Sequence, residues 1–258
     1  MIPGFAVEAD MLSLIAAAAQ KFAGPGAIAV FEVMSAAGIP DVVATVFDQD
    51  VLQERAASGF VTDAAGVAAL LALSDAENSL DARQVAAVTG LTPAYIRARV
   101  LPALGARGLA MMTARGMWTA TFRYRSPARR LVTVEAKLSD WRRGLGQAAR
   151  HAAGADAAWL VLDGTRTRPA VSRAEWFRAA GVGLAGLGLD GTLETLLQPE
   201  ASSILRLRAR RELLAERLAD LYCSGAVSGP VGKVFGRELT CSTGADPRYA
   251  GAPGRCAQ

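Results

Sequence analysis

The apolar positions change period several times along the chain. From Val7 to Gly24 they recur at Val7, Met11, Leu12, Ile15 and Ala19, a helical spacing that ends at Gly24. The stretch from Ala27 to Asp48 is instead rich in Val, Ile and Phe, with a small-residue break at Ala36 to Gly38. That pattern predicts two antiparallel strands joined by a short turn. From about Gln49 to Met117 the pattern changes again. One helix is expected over 62–73, capped by Thr62, and a shorter one over 79–90. The TGLTP turn then leads into a third, with Thr92 at the cap and Pro93 at the first helical position. Ile96, Val100 and Leu104 form its buried stripe, and Pro102 is expected to kink it. LAMMTARGMWTATF reads as a small hairpin with Gly116 in its turn.

Strand character resumes after Trp118, in TATFRYRS and in RRLVTVEAKLS. A helix over 140–154, capped by Ser139 or Asp140, a buried strand over 156–164 and a helix over 172–181 follow. A hairpin turning at LDGT and a long charged helix over 202–222 complete the ordered pattern. The remainder, rich in Gly, Pro and Ser, is expected to be mostly disordered. This order predicts an α/β core, one mixed sheet flanked by helices, in two parts at 1–48 and 119–222. Residues 49–118 are inserted between its second and third strands, and 223–258 form the tail. The insertion, with its order of helix, helix, turn, helix and hairpin, resembles a winged helix-turn-helix domain.

A length of 258 residues allows one or two domains with a sizeable core. No apolar run is long enough to span a bilayer, and the apolar helix near Leu12 to Ala19 is short and follows two acids, unlike a secretory signal. A cytoplasmic protein without a membrane partner is the expectation. A net charge of +4 and a pI near 9.2 hint mildly at an anionic partner, although an arginine-favouring composition gives the same charge. The cysteines, Cys223, Cys241 and Cys256, fit no common zinc spacing, and the only histidine, His151, is far from them. They read as thiols in a loose tail.

The basic residues are arginine except for three lysines, Lys21, Lys137 and Lys233. Lys137 lies on a strand pattern two residues after Glu135, so both point to one face. Arginine is a planar fork, whereas lysine is a compact point charge that fits beside a water. Asp41 opens another strand after GIP. If the two strands are neighbours, Asp41 and Glu135 can share a divalent cation while Lys137 reaches the attacking water. Magnesium suits such a site, with manganese as its substitute. Without chemistry, the same residues are a surface ion pair between Glu135 and Lys137, with Asp41 in a turn.

This constellation is similar to the PD-(D/E)xK nuclease superfamily, with its restriction endonuclease-like fold. The resemblance is carried by Pro40-Asp41 and by Glu135-Ala136-Lys137. It implies metal ligation by Asp41 and Glu135, a further acid from the first helix at Glu8, and a water-orienting role for Lys137. It also implies a catalytic part for Gln147, ten residues after Lys137 on the following helix. The two half-motifs stand farther apart than is usual, and an inserted domain accounts for the gap. Glu32, on the first strand, shares a face with Val30 and Met34 by alternation and is either a further metal ligand or a rim residue. Asp48 and Asp50 are expected to end the second strand and cap the insertion.

Arg123, Arg125, Arg129, Arg130, Arg142, Arg143 and Arg150 cluster in sequence around this motif, with Phe122, Tyr124 and Trp141 among them. Arginines with interleaved aromatics suit phosphate contacts and base stacking, or they form a plain solvated face. In the insertion, Tyr95, Arg97 and Arg99 project outward, where a recognition helix meets the major groove; contact with a protein is the other use of such a module. The expected activity is magnesium- or manganese-dependent hydrolysis of DNA phosphodiester bonds, with a homodimer among the allowed forms. The rival is a non-catalytic DNA-binding or regulatory protein that keeps the fold.

Overall fold

A computed structural model describes residues 4–113, 115–200, 207–226, 233–234 and 237–238. The first helical pattern forms two helices, α1 (Ala9–Ala17) and α2 (Ala19–Ala23), because Ala18 leaves the helical conformation with ψ near 12°. The Val/Ile/Phe-rich stretch forms β1 (Ile28–Phe31) and β2 (Val42–Phe47), paired antiparallel. Then come α3 (Gln49–Ala56), α4 (Ala64–Asp75), α5 (Ala82–Thr89), α6 (Pro93–Tyr95) and α7 (Leu101–Ala106), followed by a hairpin of β3 (Ala110–Met112) and β4 (Trp118–Ala120). The second half runs β5 (Ala128–Lys137), α8 (Trp141–His151), β6 (Ala157–Asp163), α9 (Arg168–Val171), α10 (Ala174–Ala180), β7 (Val182–Leu187), β8 (Leu193–Leu197) and α11 (Arg208–Cys223). The two-residue strands β9 (Lys233–Val234) and β10 (Arg237–Glu238) pair in the C-terminal stretch. The rest of the expected disordered tail, with Cys241 and Cys256, lies outside the described residues.

Six strands form one mixed sheet in the order β1-β2-β5-β6-β7-β8, so the chain is α/β with helices on both faces. The strands β5, β6 and β7 run parallel, while β2 and β8 run antiparallel to their inner neighbours. Alternation sends Val132, Val134 and Ala136 of β5 toward α1 and α2, where they pack with Met11, Leu12, Ile15 and Phe22. Leu131 faces the other way with β5's remaining set, toward the layer of α8, α10 and α11. Every residue of β6 and β7 is buried, which is why both read as nearly unbroken apolar runs.

Several local expectations are corrected. Helix α4 is capped by Asp63 rather than Thr62, since the Asp63 carboxylate accepts the Gly66 N–H at 2.7 Å. The helix around Pro102 absorbs the proline in a π-helical turn, Ile96–Val100, in which the Leu101 N–H donates to the Ile96 carbonyl. The widened turn relieves the clash that a proline ring makes with a normal preceding turn. TATFRYRS is a strand only up to Ala120, and the residues that follow are irregular because Tyr124 turns inward. Helix α11 begins at Arg208, and residues 201–206 of the expected helix lie outside the described set.

The segment between β2 and β5 has its own apolar cluster, including Val67, Leu70, Val85, Ile96, Leu104 and Leu109, and Leu213 of α11 joins it. A buried polar network ties it to the sheet layer. The Glu216 carboxylate of α11 is fully buried and pairs with Arg55 at 2.8 Å. It also accepts the Val61 N–H at 2.7 Å and the Tyr124 O–H at 3.0 Å. The Arg55 guanidinium lies over the Phe122 ring at 5.3 Å. Removing one member strands the other charge in the interior, at a cost of about 3–5 kcal/mol. Urea unfolding of Arg55→Ala is expected to show a loss of that size. Arg178→Ala, which removes an exposed 3.9 Å contact to Glu200, is expected to leave stability unchanged within error.

Candidate functional site

Asp41 directly precedes β2 and Lys137 closes β5, and the register that sets Val42 opposite Val134 brings both to one edge of the sheet. The parallel strands end at this same edge, the carboxyl side at which open α/β sheets bind their ligands. Glu8, just ahead of α1, completes the group.

The Lys137 ammonium stands 3.4 Å from Glu8 Oε2, 3.6 Å from Asp41 Oδ2 and 3.5 Å from Glu135 Oε2. It also donates to the Ala136 carbonyl at 2.8 Å. The end of β5 grips two of the acids through its backbone: Ala136 N–H donates to Asp41 Oδ2 at 2.8 Å, and Leu138 N–H to Glu8 Oε1 at 3.3 Å. Glu135 and Lys137 are 1% and 7% exposed, so this is a buried cluster and not a surface ion pair.

Three carboxylates around one ammonium set the electrostatics. Burial, and then the charge of Glu135, raise the Asp41 carboxyl to about 7, against the opposing pull of Lys137 and the Ala136 N–H. Burial alone disfavours the Lys137 ammonium, but Asp41, Glu135 and Glu8 outweigh it and the lysine is raised. It is charged at neutral pH.

Glu32 lies just past β1 and not on it, in a left-handed conformation with φ 48° that residues with a side chain rarely adopt. Its N–H donates to the Asp41 carbonyl at 3.2 Å, its Oε2 is buried without a partner, and burial pushes its carboxyl up. Backbone strain of this kind costs on the order of 1–3 kcal/mol and gathers at functional sites. Gln147 sits on α8 with Oε1 buried and without a partner. One turn before it, a Cβ on Gly144 would stand 3.0 Å from Lys137 Cγ and 2.5 Å from Leu160 Cδ1, so only glycine lets α8 lie this close to β5.

Tyr95, Arg97 and Arg99 are exposed on the segment from α6 to α7, and Arg123, Arg142 and Arg143 are exposed as well. Arg125 is not available in the same way: it faces Glu54 at 3.1 Å and Asp48 at 3.7 Å, while Arg129 faces Asp48 at 3.2 Å. The aromatics expected to stack on bases are occupied. Tyr124 and Trp141 are buried, and Phe122 lies beneath Arg55.

Two residues near this edge escape the sequence reading. His151 ends α8, and its Nε2 is 2.8 Å from Glu135 Oε1, both side chains buried. The only available signal is its place on the helix that follows the Glu135-Ala136-Lys137 strand. Asp163 closes β6 and accepts from Phe5 N–H at 2.9 Å and from the Thr165 hydroxyl at 2.7 Å. Burial alone would raise Asp163, but the Thr165 and Phe5 hydrogen bonds outweigh it and its carboxyl is lowered. It fastens the N-terminal segment that delivers Glu8.

Among the described residues, no three His, Cys, Asp or Glu side chains form a ready cation cage, since Lys137 occupies the centre of the acids. The donor chemistry nonetheless fits a hard cation. Neither Glu135 oxygen has a well-formed hydrogen bond, and Glu32 Oε2 and Gln147 Oε1 also lack partners. Unsatisfied buried oxygens of this kind suit magnesium or manganese. No protein-family model, curated protein or solved structure matches the chain.

The raised Asp41 carboxyl has a thermodynamic sign. Below 3.8 it is protonated whether the chain is folded or not; between 3.8 and about 7 only the unfolded chain releases its proton readily. The protein therefore loses this contribution to stability as pH rises through that window. Asp41→Asn is expected to flatten the slope and, at pH 8, to raise the melting temperature on the order of 5 °C, with little change at pH 4. Equal slopes for the two proteins would show that Asp41 is not the titrating group.

Proposed function

We propose that the protein is a divalent-metal-dependent nuclease acting on DNA, built on a restriction endonuclease-like core with a winged-helix insertion. The observation that supports this most strongly is the convergence of Glu8, Asp41 and Glu135 on Lys137 at the carboxyl end of the parallel strands. In this reading Asp41 and Glu135 hold the cation, and Glu8 and Glu32 offer further oxygens. A bound magnesium ion would lower the pKa of a water and offset charge developing on the phosphate. Lys137 would then keep a compact ammonium beside the attacking water, with its stem packed on Gly144 and its charge held by the Ala136 carbonyl. Gln147 presents its unpartnered amide oxygen from the neighbouring helix.

Arg142 and Arg143 are exposed near this edge, as are Arg166 and Arg168 after β6, and all four suit phosphate oxygens. Tyr95, Arg97 and Arg99 offer a second DNA contact from the insertion. A homodimer and a cytoplasmic location are compatible with this activity; among the described residues no helix is long and apolar enough to cross a membrane. One observation favours a second reading, a non-catalytic DNA-binding protein with the same core: Lys137 already partners the acids that a metal would need.

Magnesium-dependent cleavage of plasmid, branched and single-stranded DNA separates the two. Wild type is expected to cut at least one of these and Glu135→Ala none. Lys137→Arg keeps the charge but replaces the compact ammonium with a bulkier fork, and is expected to be slower on the order of a hundredfold. Equal cleavage by all three proteins would point to a contaminant or another site. No cleavage by pure wild type on any substrate, with magnesium or manganese, would favour the binding protein.

A further inference from the structure

We propose that His151 is a positioning residue for the metal site, holding one oxygen of Glu135 so that the other is presented to the cation. The proposal rests on the metal-dependent reading above. The two oxygens of Glu135 are divided between neighbours. Oε1 stands 2.8 Å from His151 Nε2, and Oε2 stands 3.5 Å from Lys137 Nζ, on the side where Asp41 and Glu8 also approach. A carboxylate with no such division can turn about its last bond, or chelate through both oxygens. One oxygen tied to a fixed imidazole leaves a single oxygen, in a set plane, for a ligand.

The imidazole is well placed to act as that anchor. His151 and Glu135 are 4% and 1% exposed, so water competes little for either partner. The ring is also confined from the far side. Gly38, at φ +122°, passes so close that a Cβ there would come within 3.0 Å of His151 Cε1. Gly38 belongs to the turn that Ser35 closes by donating to the Gly38 carbonyl, three residues before Asp41. The histidine is thus lodged between α8 and the loop that delivers the other acid.

Which nitrogen carries the proton follows from the surroundings. Nδ1 has no partner, whereas Nε2 faces a carboxylate oxygen that can only accept when ionised. Nε2–H toward Glu135 is the arrangement that leaves no two acceptors opposed. The 2.8 Å separation lies within hydrogen-bond range, although the present angle falls short of a well-formed bond. With Nε2 directed at Glu135, His151 acts through the carboxylate on a cation that Glu135 shares with Asp41. Groups that orient a metal-binding side chain in this way are typically worth about 10–100-fold in metal affinity.

The test is manganese binding by the full chain, followed through the paramagnetic resonance signal of the free ion, with melting curves of the metal-free proteins alongside. Loss of binding in Asp41→Asn locates the ion. His151→Leu is expected to weaken manganese binding about 10–100-fold while remaining folded. His151→Gln, whose amide N–H can reach Glu135, is expected to recover most of that loss. If His151→Leu does not fold, His151→Asn, polar but too short to reach Oε1, takes its place with the same expectation. Unchanged manganese affinity in the folded Leu or Asn variant overturns the proposal, and so does a Gln variant as weak as Leu. If wild type binds no manganese, the metal reading itself fails and the role of His151 falls with it.

Discussion

Like charges do not gather in a poorly solvated pocket unless something offsets them, and here a single lysine ammonium does so for three carboxylates. Two unit charges about 4 Å apart interact by about 4 kcal/mol at the dielectric typical of partly buried sites. Glu8, Asp41 and Glu135 could not stand this close without Lys137 among them. Much of the surrounding architecture serves that arrangement. The β2–β5 register sets the strand ends side by side, backbone N–H groups of Ala136 and Leu138 hold two of the acids, and Gly144 lets α8 close over the lysine stem. The balance is incomplete: burial, and then the charge of Glu135, leave the Asp41 carboxyl raised.

The long segment between β2 and β5 does not disturb this balance because its two ends are fastened together. The Asp48 N–H donates to the Pro127 carbonyl at 2.8 Å, and the Asp48 carboxylate faces Arg125 and Arg129 across the same neck. Loop closure costs grow only slowly with length, so a segment with its own apolar cluster can be carried between paired strands. Arg125 and Arg129 therefore act in joining the two parts of the chain, which explains their position beside the motif without any nucleic acid.

Alternation and residue type make part of this legible in the sequence. The odd positions Glu135 and Lys137 fall on one face of a strand whose even positions are apolar, and a lysine, one of three in an arginine-rich chain, marks a place where the fork is unsuited. The caps at Thr92 and Asp140 are readable for the same local reason. His151 is not, since its meeting with Glu135 depends on how α8 lies across β5, which no sequence period encodes. Nor is the left-handed turn at Glu32, because a strained backbone on a non-glycine residue leaves no compositional mark. Tyr124 shows the converse. Its strand-like surroundings suggest an exposed aromatic, and the partner that draws it inward, Glu216, comes from the far end of the chain.

The proposed activity requires the acids around Lys137 to exchange that ammonium for a divalent cation as their shared partner. Crystals grown or soaked with manganese, with data collected at the metal's absorption edge, test it most directly. The expected result is an anomalous peak beside the carboxylates of Asp41 and Glu135, with the Lys137 ammonium moved aside but still adjacent. A site without a peak, with Lys137 unmoved among its three carboxylates, would contradict it and leave the cluster as a structural ionic core.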